Sequence, residues 1–146
     1  MTHSKRYRKR SMSLLVLGLA VVAVTGLGGC AGGPFRDLPN SANLGTVYIF
    51  RAPGGIPGDY PKPVFVDGKV LGPLVRNGYF MVQLKPGEHR ISTPAANRPE
   101  LKLRVEKGAN YYISQEIIPA NPPFVLLDRV GEKFGKPSVE HSRRLY

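Results

Sequence analysis

Leu101-Lys-Leu-Arg-Val-Glu106 alternates apolar and charged residues without a break, and that period of two constrains the fold more than any other feature of the chain. Successive side chains of a strand point to opposite faces, so Leu101, Leu103 and Val105 face inward while Lys102, Arg104 and Glu106 face water. Shorter runs of the same kind fill the sequence around it. Thr46-Val-Tyr-Ile-Phe-Arg51 is β-branched and aromatic on both faces, the composition of a central strand. Val64-Phe-Val-Asp-Gly-Lys-Val-Leu71 sets Asp67-Gly68 between two apolar arms, a hairpin signal because a type I′ turn needs positive φ at both central residues. Tyr79–Leu84 alternates with Phe80, Val82 and Leu84 on one face, and Lys85-Pro-Gly-Glu88 turns it into His89–Thr93. Lys107-Gly108 leads into Asn110–Ile117, and after Pro119, Pro122 and Pro123 the run Phe124–Val130 closes the set of eight.

Turn signals separate these runs at about the 8–12 residue spacing of sandwiches and barrels, and no amphipathic helical window of convincing length is present. The expected fold is all-β: a small antiparallel β-sandwich of about seven to eight strands, immunoglobulin-like or prealbumin-like, over residues 45–130. Val105-x-x-Gly108-x-x-Tyr111 resembles the tyrosine corner of immunoglobulin-like and fibronectin-like sandwiches, in which the Tyr hydroxyl bonds back to the chain a few residues upstream. Leu84-Lys-Pro-Gly-Glu-His89 reads as a similar hairpin turn without the Tyr. Residues 30–44, with Gly32, Gly33, Pro34 and Pro39, have the composition of a flexible tether. Residues 131–146 carry no period and end in Arg143-Arg-Leu-Tyr146, so a loosely ordered basic tail is expected.

The N-terminus reads as an export signal. Lys5, Arg6, Arg8, Lys9 and Arg10 stand without an acidic residue before an apolar run from Met12 to Val24. As a signal helix that run falls short of the ~30 Å, or about 20 residues, of a bilayer core. Leu27-Gly-Gly-Cys30 then resembles the lipobox of bacterial lipoproteins, in which the cysteine is acylated and the chain is cleaved before it, here between Gly29 and Cys30. The resemblance implies residues 1–29 as a lipoprotein signal peptide and Cys30 as the lipidated first residue of the mature chain. Ala31 in place of Asp favours the periplasmic face of the outer membrane.

Loss of the five cations in residues 1–29 takes the net charge from +11 to +6. A basic surface of this size suits an envelope protein or an anionic envelope polymer. No nucleic-acid motif is present. Cys30 is the only cysteine, so the fold has no disulfide and a folded thiolate is not available for catalysis or metal binding.

Val47–Arg51, Val64–Lys69 with Leu71-Gly72, Gly78-Tyr-Phe80, Leu84–His89, Val105–Gly108 and Tyr111-Tyr112, in that order, resemble the DUF2846 lipoprotein domain and, more distantly, the PEGA surface modules. The resemblance spans residues 45–130 and implies fold; it brings no activity, cofactor or site residue with it.

The remaining polar residues form no catalytic pattern. His89, at a strand start, reads as a half-buried structural residue. With only His141 beyond it in the mature chain, no metal-ligand spacing arises and no metal or cofactor is expected. The acidic residues are scattered through turns and outward strand positions. Tyr79, Tyr111 and Tyr112 could stack on a sugar ring but fit better as strand residues shared between core and surface. Arg51-Ala-Pro-Gly-Gly-Ile-Pro-Gly58 lacks the ending of a phosphate loop and reads as a stiffened connection. If the domain has a contact surface, Arg51, Tyr60 and Arg76, near loop ends, are its candidates. The expected role is a non-enzymatic binding or scaffold module, anchored through its lipid in the cell envelope. The alternative is an envelope hydrolase acting on glycan or lipid through carboxylates that meet in space.

Overall fold

The computed structural model describes residues 42–54, 60–94, 96 and 100–145. The expected signal peptide, Gly29, Cys30 and the tether up to residue 41 lie outside the described residues. Contacts set Gly32–Tyr146 apart from Met1–Ala31 as a unit of its own, and the fold is that of this unit.

The fold is an all-β sandwich of two sheets with one short helix. In chain order the strands are β1 (Gly45–Arg51), β2 (Lys62–Val66), β3 (Lys69–Leu74), β4 (Gly78–Leu84), β5 (Gly87–Ser92), β6 (Leu101–Val105), β7 (Asn110–Ile118) and β8 (Phe124–Val130). Helix α1 (Glu132–Glu140) and the two-residue β9 (Arg143–Arg144) follow. One sheet has the order β8-β7-β1-β4-β9 and the other β3-β2-β5-β6. β1 pairs antiparallel with β4 and parallel with β7, and all seven of its residues are buried. Its two-sided apolar composition is therefore that of a strand covered on both faces.

Between the sheets lies the main core, built on Val47, Ile49, Val64, Leu74, Phe80, Ile91, Leu103, Val105 and Ile113. β6 follows its period of two, with Leu103 and Val105 buried and Lys102 and Arg104 exposed. The β2–β3 hairpin turns through Asp67 and Gly68, at φ 49° and 76°, the two positive values a type I′ turn requires. β3 is an edge strand, and both Pro73 and the register shift at Val64/Phe65 interrupt its ladder, features that discourage pairing with another chain.

The outer face of the five-stranded sheet holds a second core of Tyr48, Phe50, Tyr79, Tyr112 and Val139. Tyr48 stacks on Tyr112 at 5.2 Å between centroids, with the rings 11° from parallel. These aromatics would lie in water without α1, which packs over β7 and β1. The expectation of a loose tail over 131–146 is thereby corrected. Residues 132–140 are helical, and β9 extends the sheet, with Arg143 N–H donating to the Asn77 carbonyl at 2.8 Å and Leu145 N–H to that of Tyr79 at 2.9 Å. Gly135 and Pro137, both poor helix formers, removed the helical signal from a segment of only nine residues. Gly135 is nonetheless what allows the helix to dock, because a Cβ there would overlap the side chain of Tyr112.

A second correction concerns the two similar turns. β4 and β5 belong to different sheets, as do β6 and β7. Lys85–Glu88 and Glu106–Ala109 are thus corners that carry the chain from one sheet to the other, not hairpins within a sheet. The second is a tyrosine corner in detail: the Glu106 N–H donates to the Tyr111 hydroxyl at 2.9 Å. Gly108 N–H also donates to Leu44 O, and Thr46 N–H to Ala109 O, both at 2.9 Å, so the chain enters β1 bound to this corner.

Candidate functional site

β1 runs from this corner to the opposite end of the sandwich, about 20 Å away at ~3.3 Å per residue. Its last residue, Arg51, projects between the sheets on the same face as Val47 and Ile49, next to Gln115 on β7 in the register that pairs Phe50 with Ser114. The Arg51 guanidinium donates through Nη1 to the carbonyls of Tyr60 at 3.3 Å and Leu74 at 3.4 Å. It ties the segment entering β2 to the end of β3. Arg51 is only 3% exposed, which corrects its expected place on a contact surface. Burial, and then the neighbouring Arg76 charge, hold the Arg51 guanidinium below its usual range. Tyr60, at 73% exposed, and the exposed Arg76 are the parts of this group that face outward.

A cleft of about 260 Å³ opens beside it, lined by Phe50–Gly54 of the chain leaving β1 and Ser114–Ile117 of β7. Gln115 is buried here and donates through Nε2 to Thr93 Oγ1 at 3.4 Å. Its Oε1 meets no donor among the described residues. The signal for Gln115 was in the sequence: it follows Tyr111 and Ile113 at period two, so it is the polar residue of an inward-facing row.

At the corner end the polar chemistry is that of an ion pair. His89 and Asp67, 22 positions apart, meet because β2 and β5 are neighbours, with Val66 opposite Ile91. His89 Nδ1 lies 2.7 Å from Asp67 Oδ2, and its Nε2 lies 2.8 Å from the Lys85 carbonyl. Asp67 Oδ1 accepts from Arg90 N–H at 2.9 Å, and Asp67 N–H donates to Arg90 O at 2.8 Å. The His89 bond, then that from Arg90 N–H, lower the Asp67 carboxyl below the usual carboxylate range. Burial alone would depress His89, but its bonds to Asp67 and to the Lys85 carbonyl outweigh that and raise it. Sequence reasoning placed His89 as half-buried and structural but did not find Asp67 as its partner.

The tyrosines considered for sugar stacking are buried. Tyr79 and Tyr112 lie beneath α1, and Tyr111 is in the main core beneath Arg129, whose guanidinium carbon is 4.9 Å from the ring centroid. Among the described residues no three His, Cys, Asp or Glu side chains are grouped as metal ligands, and no helix is long and apolar enough to cross a membrane.

The class so defined is a small two-sheet sandwich with a tyrosine corner and a helix-capped aromatic face. The chain belongs to the family of proteins of unknown function DUF2846, which it matches over residues 41–126. It is 34% identical over 82 residues to an uncharacterized protein of Haemophilus influenzae, covering 56% of this chain and 47% of that one. The chain thus spans about half the length of the curated relative it matches. No solved structure matches it.

Proposed function

We propose that the protein is a bacterial lipoprotein held in the cell envelope through Cys30, at the periplasmic face of the outer membrane, and that its sandwich is a non-enzymatic binding or scaffold module. The observation that carries the reading is the sequence Leu27-Gly-Gly-Cys30 behind a cationic stretch and an apolar run too short to span a bilayer. The chain enters the sandwich at the tyrosine-corner end. An anchored domain then carries Tyr60 and Arg76 on the end away from its tether, where a partner in the envelope can reach them. Tyr and Arg, together with Trp, are enriched at the energetic centres of protein interfaces, and Arg51 bonds the backbone of Tyr60 from below. The two shifted titratable groups at the corner end, His89 and Asp67, hold strands together, which fits a module that works by contact.

Radiolabelled palmitate supplied to cells making the full chain, followed by membrane fractionation, tests the anchor. Wild type carries label and sediments with the outer membrane; Cys30→Ser carries none and is released. Equal membrane retention of an unlabelled Cys30→Ser chain refutes the anchor. Crosslinking of the anchored chain in its own membrane, followed by purification, is expected to recover a partner, and Tyr60→Ala combined with Arg76→Ala in a chain that keeps Cys30 should leave labelling intact and remove that partner; undiminished crosslinking refutes the contact end.

A further inference from the structure

His89 stands between two groups that can only accept a hydrogen bond. The Asp67 carboxylate lies 2.7 Å from Nδ1 and the Lys85 backbone carbonyl 2.8 Å from Nε2. A neutral imidazole has one N–H and one lone pair. In either tautomer a ring lone pair would point at an acceptor oxygen inside hydrogen-bond distance. Only the imidazolium donates at both ends.

The two acceptors belong to different segments, the β2–β3 turn and the corner before β5, which among the described residues are otherwise joined only through β5 itself, where Gly87 and Glu88 pair with Val105 and Arg104 of β6. Asp67 is the first residue of the β2–β3 turn, held on its other side by a reciprocal pair of bonds with the backbone of Arg90. Lys85 belongs to the corner that passes from β4 to β5, next to Leu84, which pairs with Gly45 where the chain enters β1. We propose that His89 is a protonation-gated clip: as the imidazolium it ties the β2–β3 turn to the Lys85–Glu88 corner, and on losing a proton it releases the corner.

The groups facing the clip favour that order of events. The charge-assisted bond to Asp67 is the stronger of the two, so the proton leaves Nε2 and the Lys85 contact opens first. On β3, Lys69 lies close enough to help keep Asp67 ionised. On β6, the residue opposite His89 is the apolar Leu103, while Lys102 and Arg104, opposite Arg90 and Glu88, point to the other face. From the corner the backbone carbonyl of Lys85 meets the ring, and the Lys85 side chain is exposed. No second carboxylate among these groups replaces Asp67 as counter-ion. The raised His89 and lowered Asp67 agree with the geometry.

Nitrogen NMR of the full chain in detergent micelles, read from pH 5 to 9, tests the clip. Both His89 ring nitrogens are expected to keep the protonated signature past the ordinary histidine midpoint of about 6.5. Hydrogen exchange at Gly87, Glu88 and His89 should then accelerate as that signature is lost. Asp67→Asn should move the His89 midpoint downward, and His89→Gln, which keeps a donor but does not titrate, should abolish the pH-linked change in exchange at the corner. A neutral His89 at pH 6, a midpoint unmoved by Asp67→Asn, or a corner whose exchange follows the same pH course in His89→Gln would each overturn the proposal.

Discussion

Replacing Gly135 by Ala sets two physical effects of opposite sign against each other. In an exposed helix the change gains about 1 kcal/mol, because Gly loses more backbone freedom on folding than Ala does. At Gly135 the new methyl would lie within the space of Cβ, Cγ and Cδ1 of Tyr112. That ring has nowhere to go, being 2% exposed and stacked on Tyr48 at 5.2 Å. Overpacking of this kind costs about 1–3 kcal/mol and occasionally more. The cost is limited by the alternative of lifting α1, which would expose Val139, worth about 1.5–3 kcal/mol, and uncover the aromatic face. Overlap with three atoms of a ring that cannot move puts the cost at the upper end, about 2–3 kcal/mol, so after the propensity gain is subtracted Gly135→Ala should destabilise by about 1–2 kcal/mol, a fall in Tm of about 4–10 °C for a domain of about 100 residues. The chain has no Trp, so tyrosine fluorescence during urea unfolding reports on the aromatic cluster. Gly131→Ser, at the N-cap of the same helix with no atom within 4 Å of its added Cβ, is the control; Ser and Gly differ there by a few tenths of a kcal/mol. A Gly135→Ala protein as stable as wild type, or more so, would refute the docking of α1 on Tyr112.

Tyr111→Phe removes the acceptor of the Glu106 N–H and should cost about 1–2 kcal/mol in urea unfolding, with the corner's amide exchange accelerating before that of β1. The pH dependence of stability has a sign fixed by the two shifts at the clip. His89 is raised, so its contribution is complete below its unfolded value of about 6.5 and is lost as pH rises through the folded value. Asp67 is lowered, so its contribution is present above about 3.9 and is lost as pH falls through its folded value. The difference in melting temperature between wild type and His89→Gln should therefore be greatest between those two pH values and shrink on either side; a difference flat from pH 4 to 9 contradicts it.

How much of this was legible in the chain depends on how local the signal was. β6 and the Asp67-Gly68 turn could be read because their determinants lie within a few residues: a period of two in one case, two positive φ values in the other. The tyrosine corner spans only Val105 to Tyr111 and was legible for the same reason. Which sheet each strand joins is a longer-range matter. Leu84–His89 and Val105–Tyr111 were recognised as similar turns, but similarity between turns carries no information on whether the strands they connect stay in one sheet.

The helix shows the limit most directly. Nine residues containing Gly and Pro have no intrinsic preference for helix, and α1 exists because Tyr48, Phe50, Tyr79 and Tyr112 supply a surface that needs covering. Those aromatics were visible in the sequence, on the faces of β1, β4 and β7 turned away from the main core. A strand apolar on both faces requires a second covering layer, and in the fold the segment after β8 provides it. The His89–Asp67 pair is harder still, because its 22-residue separation closes only once β2 and β5 are known to be neighbours. The same holds for the far end, where Arg51 looked like a surface cation because it precedes a loop. Its position in the row Val47, Ile49, Arg51 on a central strand places it inside instead, where its charge organises the segment that presents Tyr60 and Arg76.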